Sequence, residues 1–227
     1  MVRWSVPLVV VWCVLCVLMP SVADAQEGEG RHSLTIRTGT SLQNNLDVGL
    51  GYQGRFGDRF RLGFNVQAAQ YREAFISALS VKDGVRASVS VPMAFRIDEI
   101  GPMTTHLWVA PRLDIVQAPD GGLVDEDGFG LGGEAGLLFN IRTDSGMRVE
   151  TGIVVPFHQE ISPESLTDKV GVLIPVGTAW MLSSNWALAT QVRFGPVFGG
   201  NGDTAKFLGE AFVGLRFGAD PNALLFF

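Results

Sequence analysis

The sequence predicts an all-β chain: an antiparallel, up-and-down transmembrane β-barrel of ten strands, with its apolar face turned outward to lipid. Three observations carry that prediction. From Leu34 onward apolar residues recur at every second place over stretches of about ten residues, the period of strands with one apolar face, and helical periodicity is hardly visible. Every charged residue within those alternating stretches falls on the opposite face. Outward-facing aromatic residues gather at the two strand ends. Composition agrees, since 227 residues that are 47% hydrophobic, with a formal net charge of -6 and only 2 Cys, exclude a disordered tail, a disulfide mini-protein and a basic nucleic-acid binder.

The first 25 residues read as a cleaved secretory leader. Arg3 precedes an apolar run from Val6 to Met19, followed by Pro20 and the small-residue site Ala23-Asp24-Ala25. The run is short of the ~20 residues that a spanning helix needs. Cleavage would leave a single domain, 26–227. Cys13 and Cys16 lie in the leader, so the mature chain is expected to have no thiol chemistry. Trp12 and Leu15 precede them where a lipoprotein site would want a small residue, which argues against a lipid anchor.

The alternating segments follow in order near 33–42, 45–56, 59–69, 85–97, 104–116, 128–142, 147–158, 169–182, 185–196 and 205–218. Eight or twelve strands are the alternative counts. The third segment shows the pattern most plainly, with Phe60, Leu62, Phe64, Val66 and Ala68 on one face and Arg61, Gly63, Asn65 and Gln67 on the other. In a soluble sandwich the apolar face would line a packed core; in a membrane barrel it faces lipid and the polar face lines the lumen.

Aromatic placement decides for the barrel. Phe56, Phe60, Phe95, Phe139, Trp180, Trp186 and Phe217 stand outward beside one rim, and Phe75, Phe129, Phe157, Phe194 and Phe207 toward the other. Two girdles are what the two membrane interfaces select. Short turns at Gly57-Asp58, 98–102, 143–146 and Ser183-Ser184 alternate with longer links at 70–84, 117–127, 159–168 and 198–204, the asymmetry expected of such a barrel. Only the first link, around Gln43-Asn44, is too short for the pattern.

Over its full length the chain thus resembles a bacterial outer-membrane β-barrel protein: leader, Cys-free mature part, ten alternating segments and a final strand, Lys206 to Phe217, that ends in an aromatic residue. The resemblance is one of architecture and matches no single named family. It implies residence in the bacterial outer membrane, contact with outer-membrane lipid and lipopolysaccharide, and recognition of the last strand by the barrel assembly machinery. Such chains usually end in an aromatic residue, as Phe227 does here, but Gly218 to Phe226 follow the tenth strand, so either Phe217 or Phe227 could end that signal.

The lumen face is expected to be cationic. It holds Arg37, Arg55, Arg61, Arg86, Arg96, Arg112, Arg142, Arg148, Arg193, Arg216 and Lys206 against Asp47, Asp114, Glu134, Glu150 and Glu210, in a chain whose net charge is negative. Arg55, Arg61, Arg96, Arg142, Arg148 and Arg216 lie near the short-turn rim, where a guanidinium ring would attract anions. The competing expectation is that these arginines pair with lumen acids and fill a small barrel. With Trp108, Met181 and Phe212 also directed inward, the filled barrel is the favoured one.

Other motifs are weaker. Gly49 to Gly54 and Gly128 to Gly133 match GxGxxG, but a dinucleotide fingerprint needs a strand, a glycine turn and a helix, whereas these glycines lie within strands. The loop from Asp120 to Gly128, with Asp125, Glu126, Asp127 and then Glu134, partly echoes a calcium loop, yet Leu123 stands where the first ligand should be. Loose divalent bridging to lipopolysaccharide is the remaining role for it. His158, with Glu160 near it, is the one place for a surface hydrolase, and no Ser, His and acid set has a spacing that forces proximity. No catalytic residue, metal site or cofactor is expected, and no nucleic acid. The expected role is a structural barrel or a narrow porin-like channel for small anionic solutes; the alternatives are adhesion through the 70–84 and 117–127 links, or surface hydrolysis.

Overall fold

The computed structural model describes residues 32–41, 44–72, 83–117, 128–162, 169–199, 206–218 and 224. They form twelve strands: β1 (His32–Ser41), β2 (Asn44–Phe56), β3 (Phe60–Arg72), β4 (Asp83–Ser90), β5 (Met93–Ile100), β6 (Met103–Gln117), β7 (Gly128–Arg142), β8 (Arg148–Ser162), β9 (Lys169–Gly171), β10 (Ile174–Met181), β11 (Trp186–Gly199) and β12 (Lys206–Phe217). Each of β4–β5 and β9–β10 is one stave of the wall, so there are ten staves. All pairings are antiparallel between neighbours, and β12 returns to β1 in a register from Leu34↔Phe217 to Ser41↔Glu210, which closes the barrel. Closure leaves no free sheet edge.

The fourth and eighth segments are each expected as one strand, and each is interrupted once. Pro92, without an N–H, breaks the ladder between β4 and β5, although Val91 N still donates to Pro111 O at 3.0 Å. Between β9 and β10, Val172 N donates to Pro196 O, and Pro196 has no N–H to return. Leu173 and Val154 exchange both backbone bonds, so the stave continues past the break.

The short turns all lie at one end of the barrel, as expected. Gly101 (φ 58) and Gly146 (φ 78) take left-handed conformations there that other residues adopt at a cost. The first link, between Ser41 and Asn44, lies at the other end with the longer ones.

Burial is inverted relative to a water-soluble fold. Ile153 on the outer face of β8 is 54% exposed, while Glu150, facing inward on the same strand, is fully buried. Ile36, Ile97, Leu107, Ile115, Leu131, Val192 and Leu215 continue the exposed apolar surface around the wall. At the short-turn rim Phe56, Phe95, Trp180 and Trp186 are exposed and Phe60, Phe139 and Phe217 half-buried. Ring contacts run along this girdle, with Phe60 to Phe95 centroids at 4.7 Å and Trp186 to Phe217 at 5.0 Å. Phe129, Phe157, Phe194 and Phe207 are exposed near the far rim.

The leader, Phe75, the 120–127 stretch and most of both proposed adhesion links lie outside the described residues, as do the side chains of Lys206 and Glu160.

Candidate functional site in the lumen

Strand alternation sends the polar face inward, and the inward side chains sort into three layers along the barrel axis. The layer toward the long links is ionic. Arg37 Nη2 donates to Gln67 Oε1 at 3.1 Å, and Gln67 Nε2 donates to Asp47. Arg193 Nη2 donates to Glu134 Oε1 at 2.6 Å and lies 3.6 Å from Glu210 through Nε. Arg193 and Glu134 stand on β11 and β7, which are not neighbours, so this pair bridges the lumen. Arg37 also stacks over Phe212, 5.3 Å from Cζ to the ring centre.

Asp114, fully buried, is the hub of that layer. Ser88 Oγ donates to its Oδ1, Arg112 Nε donates to its Oδ2 at 2.9 Å, and His158 Nδ1 lies 3.1 Å from Oδ2. His158 reaches Asp114 from β8 across the intervening strand β7. The ring passes over Gly130 and Gly132, where an added Cβ would fall 2.9 Å from His158 Nε2 and 3.2 Å from its Nδ1. Glycine in this GxGxxG stretch therefore clears the path of a histidine. Among the described side chains Arg37, Arg86, Arg112 and Arg193 share the layer with Asp47, Asp114, Glu134 and Glu210, so these formal charges balance. Because removing one partner of a buried pair leaves an uncompensated charge, a balanced layer is the arrangement that low-dielectric surroundings tolerate.

The middle layer is apolar. Ala94, Trp108, Ala110, Leu138, Val154, Ala179 and Ala189 form one buried cluster with Leu224, and Leu173 is buried as deeply. Leu224 lies beyond the end of the wall, yet it has no exposure at all.

The layer toward the short turns holds the other arginines. Arg61, Arg148 and Arg216 are buried, and Arg216 Nε donates to Thr35 Oγ1 at 3.2 Å. Asn140 Nδ2 donates to Glu150 Oε2 at 3.3 Å. Arg55 is half-buried, Arg142 is exposed, and Arg96 turns to Glu99 at 2.5 Å, so these three sit at the rim outside the buried group. Met181 follows the inward alternation but is 42% exposed at the same rim. Among the described residues, Glu150 is the one lumen acid of the sequence reading that falls in this half. Buried polar atoms without a hydrogen-bond partner among the described residues, Gln53 Nε2 and Oε1, Asn65 Oδ1 and His106 Nδ1, lie in the same half.

Sequence reasoning put Asn65 and Gln67 on the polar face of the third segment but missed the other neutral members of these layers: Thr35, Gln53, Ser88, His106 and Asn140. The signal was available, since each shares strand parity with a lumen arginine or acid. Leu224 had no such signal, because it belongs to no strand.

No protein-family model and no curated protein matches the chain. Among solved structures it is similar to the beta domain of the Bordetella autotransporter Brka, at 14% identity and a TM-score of 0.48 over 84% of this chain and 99% of that one. It is similar to the NanC porin at 9% identity and a TM-score of 0.45, covering 81% and 98%. Neisserial surface protein A (NspA) matches at 13% identity and a TM-score of 0.40, covering 84% and 97%. Each likeness concerns barrel architecture, in which the chain resembles outer-membrane β-barrels without matching a single named family.

Proposed function

We propose that the protein is an integral outer-membrane barrel whose lumen is closed, a structural barrel that anchors its long links at the membrane surface. The observation that carries this is the filled cross-section. The apolar layer around Trp108, Leu138 and Leu224 lies beside an ionic layer in which Arg193 and Glu134 bridge the lumen. Uninterrupted staves of ten to fifteen residues flanked by two aromatic girdles suit a bilayer, where a spanning strand takes about 9–11 residues. On this reading the leader through Ala25 directs export, outer-membrane lipid and lipopolysaccharide surround the wall, and β12 is the strand offered to the assembly machinery.

Planar-bilayer conductance of the chain refolded from Gln26 tests the proposal. With insertion verified by heat-modifiable mobility, no steady current steps are expected; regular steps at low voltage would overturn it. The excess of arginine at the short-turn end, with the orphaned polar atoms of Gln53, Asn65 and His106, supports a second reading as a narrow anion path. Anion-selective steps that diminish in Arg148→Gln would favour that reading.

A further inference from the structure

We propose that Leu224 is an internal stopper: following β12 in sequence yet buried inside the barrel, it seals with its side chain an opening that would otherwise conduct anions. The inference deepens the closed-barrel reading and rests on it.

The wall ends at Phe217, and Gly218 N is tied to Asn185 O at 2.9 Å on the short-turn rim. Six residues later Leu224 is fully buried in one cluster with side chains from β5, β6, β7, β8, β10 and β11. A residue clustered with six wall strands and belonging to none of them occupies the lumen, not the wall. Six residues can extend about 20 Å, enough to reach the middle of a membrane-spanning barrel from its rim.

The socket is shaped for an inserted side chain. Ala94, Ala110, Ala179 and Ala189 present single methyl groups at inward positions of this layer, where larger residues would have closed the cross-section from the wall alone. Trp108, Leu138 and Val154 complete an apolar surface that suits leucine and rejects a charged group.

A latch accompanies the socket. The buried Arg216 guanidinium donates through Nη2 to the Leu224 carbonyl while its Nε holds Thr35. A charged donor on a carbonyl is among the stronger hydrogen bonds available. One arginine on the last strand thus fixes Leu224 to the seam between β12 and β1. With Leu224 withdrawn, the route through the apolar layer would open onto the half of the lumen lined by Arg61, Arg148 and Arg216, and arginines that line a narrow pore favour anions.

Three chains refolded from Gln26 test the proposal in planar bilayers under a salt gradient: the whole chain, one truncated after Gly218, and Leu224→Asp, with insertion verified for each by heat-modifiable mobility. The whole chain is expected to be silent. The other two are expected to give steady steps with chloride favoured several-fold over potassium. A truncated chain that inserts and stays silent, or a silent Leu224→Asp, overturns the stopper while leaving the closed barrel standing. A whole chain that conducts as well as the truncated one overturns both.

Should truncation impair refolding, Leu224→Cys decides. Both native cysteines precede Gln26, so the new thiol is the only one. Its reaction with a water-soluble maleimide is expected to be at least tenfold slower in the folded barrel than in urea. Equal rates would overturn the proposal.

Discussion

At the scale of single residues, Asp114 shows how the lumen is held together. One carboxylate receives Ser88 and Arg112, and His158 sits against it, so three strands converge on a group with no exposure. Deleting it strands Arg112 in a buried layer. Asp114→Ala is expected to lose about 3–5 kcal/mol of stability, the usual cost of breaking a buried pair from one side. Asp58→Ala, on an exposed turn, is expected to change stability by less than about 0.5 kcal/mol. Urea titration in lipid vesicles, followed by tryptophan fluorescence, compares the two; equal losses would remove Asp114 from its place as hub. His158 was legible as a notable residue, but its partner was not. Glu160 is close in sequence, whereas Asp114 is brought to His158 by a register across two strand pairings, which local spacing does not encode.

At the scale of elements, alternation made the strands legible because only a two-residue period separates lipid from lumen along a whole stave. The interruptions were not legible. Pro92 removes a backbone donor without disturbing the order of apolar and polar side chains, so the pattern reads straight through the break between β4 and β5. The outward faces also make a prediction that depends on depth. Ile153, in the central part of β8, is expected to lose about 2–4 kcal/mol as Ile153→Arg, whereas Phe56→Arg, at the rim, is expected to lose at most about 1 kcal/mol beyond its ring contact. The same vesicle titration reads both, and equal costs would contradict a bilayer positioned between the two girdles. The pairing of Arg193 with Glu134 shows where sequence reading stops. Parity placed both in the lumen, but their height along the axis follows from the stagger of the closed sheet, a property of no single strand.

At the scale of the whole molecule, the wall is uneven. The seam pairs only Leu34↔Phe217 through Ser41↔Glu210, whereas β6 and β7 pair from Met103↔Ile141 through Val116↔Gly128. Amide hydrogens of β1 are therefore expected to exchange with deuterium faster than those of β6 in the vesicle-inserted barrel, and mass spectrometry of the exchanged protein checks this. Uniform protection would mean that the seam is as firm as the rest. The seam also sets the order of assembly. Thr35 and Arg216, which meet across it, are 181 residues apart in sequence. A chain made from its N-terminus onward therefore extends β1 first and produces the partner that completes it last. Until β12 is made, one margin of β1 has no partner and is an open template for any passing strand. The connectivity itself thus withholds the closing partner of the first strand until the last strand exists.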